Sequence, residues 1–198
     1  MKTNIKNYIK VCSTKFFSKQ QCQLIIDSLD ISKKRTHTFI DSRTNKYEPM
    51  GKDPYTIFLK DKKIEVMGDL IKSQWHQIIT EYVLNWLNKE EKIDWFGGWN
   101  GFSFPKFIEY NKGTLMTTHC DHIKEIFSEN EKPRGIPTLS IITGLNENYS
   151  GGEIMMCEKY KYKLKTGETL IFPSNFLYPH EIKEITKGKR YSMISWVY

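Results

Sequence analysis

The sequence has no apolar run of membrane-spanning length, no block of five or more like charges, and no pair of cysteines spaced C-x-x-C. The first absence excludes a spanning helix, which needs about 20 consecutive apolar residues. The second excludes a dedicated polyanion-binding arm, so nucleic acid is not an expected partner despite a net charge of +7. The third, with only four cysteines (Cys12, Cys22, Cys120, Cys157), excludes a disulfide framework or a cysteine zinc site and points to reduced thiols. Met1 to Lys6 carries charge with no apolar stretch behind it, so no secretory leader is expected and the reading is soluble and cytoplasmic. Internal repeats and low-complexity tracts are also missing.

What is present is enough for one domain. The 198 residues are 39% hydrophobic and 14% aromatic, a composition that buries a core. Ser18 and Gln21 form a capping-box pair ahead of the apolar positions Cys22, Ile25, Ile26 and Leu29, which predicts a helix to about Leu29. Residues 31–55 are polar and read as a long loop, with His37 left at the surface. A short strand is expected at Tyr55–Leu59. Apolar residues at helical spacing from Ile64 to Trp86 then predict a long amphipathic helix over 63–87, with His76 at its solvated edge.

From Phe104 onward the signals change to short strands divided by Gly, Asn and Pro. Strands are expected at 104–111, 115–121, 137–145, 152–157, 159–165, 168–172, 180–185 and 190–197. The stretch 123–136 is a polar interruption and, like 31–55, a candidate lid. The fold class expected is α+β: a double-stranded β-helix, or jelly roll, over residues 96–198, buttressed by a helical N-terminal support over 1–95.

Four residues carry the chemistry. In an extended strand residues i and i+2 share a side, so His119 and Asp121 can grip one ion while Cys120 faces away. His180 follows 61 residues later, expected on the facing wall of the double sheet. Two imidazoles and one carboxylate suit Fe(II) with open positions, although zinc would accept the same side chains. Arg190 comes ten residues after His180, with Ser192 two further on. A buried guanidinium forks onto carboxylate through two parallel hydrogen bonds.

With the order Phe107–Gly113, His119-x-Asp121, Leu139–Asn146, Gly151-Gly152-Glu153, Gly167–Pro173, His180 and Arg190–Trp196, the chain resembles the Fe(II)/2-oxoglutarate-dependent dioxygenases, in their prolyl 4-hydroxylase-like branch. The resemblance covers residues 104–198. It implies Fe(II), 2-oxoglutarate and O₂ as cofactor and co-substrates, ascorbate as reductant, and hydroxylation with release of succinate and CO₂. It implies His119, Asp121 and His180 as catalytic metal ligands, and Arg190 with Ser192 as the anchor of the distal carboxylate. Tyr110 stands where relatives often have a tyrosine on 2-oxoglutarate, and ordinary strand packing is the competing reading. Where many relatives carry a second tyrosine, this chain has Met116. Thr143 is a further candidate for the co-substrate pocket, and Trp196 a core residue.

The substrate expected is a peptide or protein side chain, proline favoured. Lys33, Lys34, Arg35 and Arg43 would suit acidic residues beside the target. A free amino acid or small metabolite is the alternative, and a non-catalytic ligand-binding jelly roll the second one. Repair of alkylated bases is disfavoured, because no second arginine follows Arg190.

Overall fold

A computed structural model of the chain describes residues 4–13, 15–41, 46–49, 51–121 and 136–198, with only the backbone of 39–41 and 46–48. Its first helix, α1 (Lys19–Asp27), opens as the sequence requires. Gln21 N–H donates to Ser18 Oγ, Ser18 N–H donates to Gln21 Oε1, and Cys22 and Ile25 turn inward. The second, α2 (Ile64–Thr80), continues as a π-helical stretch through Glu81–Glu90. Met67, Ile71, Trp75, Ile78, Ile79 and Tyr82 form the buried stripe that the i, i+3, i+4 spacing predicts.

Strands supply the rest: β1 (Lys10–Cys12), β2 (Leu29–Thr36), β3 (Phe39–Asp41), β4 (Lys46–Glu48), β5 (Tyr55–Leu59), β6 (Lys106–Tyr110), β7 (Met116–His119) and β8 (Leu139–Gly144). After them come β9 (Ser150–Gly151), β10 (Ile154–Met156), β11 (Tyr160–Tyr162), β12 (Thr169–Pro173), β13 (His180–Ile182), β14 (Ile185–Lys187) and β15 (Arg190–Val197). A seven-stranded antiparallel sheet runs β1-β12-β8-β15-β6-β5-β2, and a four-stranded one runs β11-β10-β13-β7. β3 pairs with β4, and β9 with β14.

Strand alternation divides the large sheet into two faces. Ile57, Phe107, Ile141, Ile171, Met193 and Val197 point to the helices and pack with Trp75, Ile78 and Ile79. Ile108, Tyr110, Ile142, Leu170 and Phe172 point the other way and pack with Ile154, Met156 and Ile182 of the small sheet. The site lies between the two sheets.

Two expectations change. The polar stretch 31–55 is not a plain loop: it contributes β2 to the large sheet and forms the β3–β4 hairpin. An edge strand has solvent on one side, so β2 carries few apolar residues and lacks the alternation that marks a strand. The first 95 residues are therefore more than a helical support, since β1, β2 and β5 all join the large sheet. The other lid candidate, 123–136, lies outside the described residues except for Ile136. Among the described residues no helix is long and apolar enough to cross a membrane.

Candidate metal centre

β7 and β13 are neighbours in the small sheet, and His119 and His180 are direct Cα partners across them. This corrects the expectation of facing walls: the second imidazole comes from the adjacent strand. Their rings stand 4.4 Å apart, centroid to centroid. Asp121, just past the end of β7, completes the cluster. Its carboxylate lies 3.6 Å from His119 Nε2 and 3.8 Å from His180 Nε2. One ligand atom from each residue falls within 4.8 Å of the other two.

The other ring nitrogens fix which atoms face the centre. His119 Nδ1 lies 2.7 Å from the Thr117 carbonyl and His180 Nδ1 lies 3.2 Å from that of Tyr178. A carbonyl only accepts, so each Nδ1 holds the proton and each Nε2 presents a lone pair to the cluster. Burial and the neighbouring His180 push the His119 imidazole below its ordinary pKa, outweighing Asp121. That favours the neutral, ligating form. Burial alone would raise the Asp121 carboxyl. The two imidazoles, with hydrogen bonding from Ser140 and Trp196, outweigh it and hold the carboxyl below its usual range. The edge of Phe172, 5.0 Å from His180, walls the centre on the large-sheet side.

Deeper along the inner face of β15 are Arg190 and Ser192, 2% and 1% exposed. Arg190 Nη1 and Ser192 Oγ are both buried and find no hydrogen-bond partner among the described residues. Burying such groups unpaired costs about 1–3 kcal/mol each, and more for the charge. Native structures rarely leave them so without a ligand or ion to satisfy them. Arg190 lies over its strand partner Tyr110, 4.7 Å from the ring centroid. The Tyr110 hydroxyl points to Met116 Sδ at 3.8 Å. Gly152, at φ +66°, leaves the room this needs: a Cβ there would sit 3.3 Å from Arg190 Cδ and 2.4 Å from Ile185 Cδ1.

The donor set fits an Fe(II) ion, and the two orphaned groups fit a carboxylate. Among the sequence candidates, His119, Asp121 and His180 form one cluster, while Arg190, Ser192 and Tyr110 form another. Thr143 belongs to neither. It faces the helices, where Trp75 Nε1–H donates to its Oγ1 at 3.0 Å and Thr169 Oγ1 lies at 2.8 Å. The parity of β8 explains this: Thr143 shares its side with Ile141, and the inner face belongs to Ser140, Ile142 and Gly144.

Sequence reasoning missed three residues. Ser140 and Trp196 face Asp121, so Trp196 is more than a core residue. His37 is 6% exposed and its Nδ1 lies 3.0 Å from Thr56 Oγ1. Burial and the Lys106 charge push its pKa down to about 3. Only the alternation on β15, which puts Trp196 on the side of Arg190 and Ser192, could have signalled one of the three.

Residues 105–198 match the family model described as the 2OG-Fe(II) oxygenase superfamily. A PKHD-type hydroxylase of Prochlorococcus marinus (strain MIT 9215) is 32% identical over 107 residues, covering 48% of this chain and 44% of the relative. The chain spans less than half the length of the curated relatives it matches. Two solved structures share the fold over nearly its whole length. The viral collagen prolyl hydroxylase of Paramecium Bursaria Chlorella virus-1, in its 2OG complex, has a TM-score of 0.60 at 16% identity, covering 96% of this chain and 94% of that one. A prolyl hydroxylase of Trichoplax adhaerens, in complex with a hypoxia inducible factor oxygen degradation domain peptide fragment, has a TM-score of 0.66 at 15% identity, covering 97% and 84%. Metal cluster, unpaired Arg190 Nη1 and family match coincide in one stretch of sequence: residues 105–198, just under half of this chain, match the 2OG-Fe(II) oxygenase superfamily, and the chain shares the fold of solved prolyl hydroxylases.

Proposed function

We propose that the protein is an Fe(II)- and 2-oxoglutarate-dependent dioxygenase that hydroxylates a peptidyl side chain, proline favoured, releasing succinate and CO₂. One observation carries the reading: the two-histidine, one-carboxylate cluster shares its barrel with a buried Arg190 Nη1 and Ser192 Oγ that have no hydrogen-bond partner among the described residues. The peptide substrate is supported by the solved neighbours, one a collagen prolyl hydroxylase and the other bound to a peptide. The four free thiols support a reducing, cytoplasmic setting.

His119, Asp121 and His180 would hold the iron, which with 2-oxoglutarate and O₂ supplies the oxidising power that no amino-acid side chain has. The Thr117 and Tyr178 carbonyls keep the Nδ1 protons in place, so both imidazoles stay aimed through Nε2. Arg190 and Ser192 would take the distal carboxylate of 2-oxoglutarate, with Tyr110 as the surface that holds the guanidinium in line. Ile142, Leu170 and Phe172 supply an apolar wall that keeps water from the reacting groups.

The test is mass spectrometry of a proline-peptide library incubated with protein, Fe(II), 2-oxoglutarate and ascorbate. The expected result is a gain of one oxygen on proline with matching succinate. Succinate release stimulated only by free amino acids or small metabolites would overturn the peptide reading.

A further inference from the structure

A groove of about 680 Å³ opens where residues 95–100 meet the loop between β12 and β13. Tyr178 lines it, and the Tyr178 carbonyl meets His180 Nδ1 at 3.2 Å, so one groove residue touches a ligand of the metal cluster. Tyr82, Leu87 and Tyr178 are buried beneath the groove. Trp95 and Leu177 line it while 75% and 51% exposed, and Phe176, next to Leu177, is 77% exposed. Large apolar side chains gathered in the open mark a surface that is covered in use.

Its chemistry is specific in two ways. The first is charge. Although 27% of the chain is charged, no charged side chain lines the groove among the described residues, and Tyr8, Tyr82, Trp95, Phe96, Trp99 and Tyr178 give it an aromatic wall. The second is the balance of donors and acceptors. The indole N–H groups of Trp95 and Trp99, the side-chain amides of Asn100 and Asn175, and the hydroxyls of Tyr178 and Tyr198 donate to no acceptor among the described residues. The carbonyls around them are already engaged. That of Tyr8 accepts from the Tyr82 hydroxyl at 2.6 Å, and those of Thr138, Asn175 and Tyr198 accept from the N–H groups of Ser174, Tyr178 and Asn100. The complementary occupant is uncharged, apolar, rich in acceptors and poor in N–H donors.

We propose that this groove docks a proline-rich segment in the polyproline II conformation, carried by the polypeptide whose side chain is hydroxylated. Proline meets each condition: it has no charge, an apolar ring that packs on aromatic faces, and a carbonyl without an N–H. A polyproline II helix makes no internal hydrogen bonds, so its carbonyls stay open to the indole, amide and hydroxyl donors. Its stiffness also reduces the entropy lost on docking, which is why aromatic grooves recognise it. That the segment belongs to the substrate rests on the peptidyl reading above. Tyr178, shared with His180, is the structural link between the two.

The experiment uses the full chain with Fe(II) and 2-oxoglutarate and two labelled peptides that share one target proline. One carries a run of prolines beside it, the other glycine and serine in their place. Binding is read without oxygen by fluorescence anisotropy at two salt concentrations, and KM and kcat by mass gain at the target. The proline-flanked peptide is expected to bind about five-fold tighter or more, the effect of one interface anchor, and to be indifferent to salt because no charge is involved. Trp95→Ala, at a position too exposed to support the core, should erase that preference by raising the KM of the proline-flanked peptide with kcat kept. Trp95→Phe should restore part of it. Tyr198→Phe, which removes one hydroxyl and keeps the ring, should weaken the same peptide alone. Equal binding of the two peptides, or a preference that Trp95→Ala leaves intact, would overturn the groove assignment, and hydroxylation of both would leave the peptidyl reading standing. Trp95-dependent binding without hydroxylation of either peptide would uphold the occupant and overturn the peptidyl reading. Dimerisation that Trp95→Ala abolishes, with no peptide preference, would give the groove to a second copy of this chain and overturn the proposal.

Discussion

The guanidinium of Arg190 lies 4.7 Å from the centre of the Tyr110 ring, its direct partner across β15 and β6. The ring holds the charge in place without neutralising it, and Nη1 stays unsatisfied. Replacing Arg190 with Ala should therefore cost most of the 2-oxoglutarate affinity while metal binding persists. One-sided loss of a buried charge pair is worth about 3–5 kcal/mol, or at least a hundred-fold in Kd. Arg190→Lys should recover only part, since a point charge cannot fork onto a carboxylate. Calorimetric titration with 2-oxoglutarate checks both, and an unchanged affinity would move the anchor elsewhere.

Ser140 and Trp196 are the hydrogen-bonding neighbours that help hold the Asp121 carboxyl below its usual range. Trp196→Phe and Ser140→Ala should each weaken metal binding about 10–100-fold, as loss of a ligand's supporting partner does, with the three ligands still in place. Metal titration against a competing chelator measures this. Wild-type affinity in both variants would mean that Asp121 needs neither.

Thr143→Ala should act on stability and not on the co-substrate. It strands the Trp75 N–H and the Thr169 hydroxyl in the layer between helix and sheet, at about 1–3 kcal/mol. A lowered Tm with unchanged 2-oxoglutarate Kd is expected. The reverse pattern would put Thr143 in the pocket.

Much of the fold and most of the site could be read from residue order, for a physical reason. Alternation fixes which residues of β15 share the inner face, so Arg190 and Ser192 declare themselves together. The Ser18–Gln21 cap and the stripe from Met67 to Tyr82 are local, and local periodicity is what sequence shows best. The misses are non-local. His37 is buried and meets Thr56, 19 residues away, and no spacing rule links them. β2 was hidden because an edge strand with a bulge carries Ser, Lys, Lys and Arg where a central strand would carry valine or isoleucine. Thr143 sits in a fully buried strand without polar alternation, so which side it faces appears only once β8 is paired.

Glu109 predicts a pH dependence. It is fully buried, with the Tyr191 hydroxyl donating to it at 2.9 Å and Lys34 at 3.2 Å. Burial would raise its carboxyl, yet those hydrogen bonds and the charges of Lys189 and Lys34 outweigh it and leave the pKa lowered. A carboxyl depressed in the folded state adds stability above its unfolded pKa, near 4.3, and loses it as the pH falls through the lower folded value. Thermal unfolding below about pH 4.3 should therefore show a falling Tm that is shallower in Glu109→Gln. That variant should also start from a lower Tm at neutral pH. Identical acid slopes in the two proteins would show that Glu109 is not part of the acid transition.

The central claim is that one barrel holds a two-histidine, one-carboxylate iron centre and, behind it, an anchor for a dicarboxylate. Anaerobic visible absorption during titration of the Fe(II)-loaded protein with 2-oxoglutarate tests it most directly. A weak charge-transfer band should rise only when both are present, vanish in His180→Ala, and need far more 2-oxoglutarate in Arg190→Ala. No band in the wild-type protein at saturating iron and 2-oxoglutarate, or a band whose titration Arg190→Ala leaves unchanged, would contradict the account.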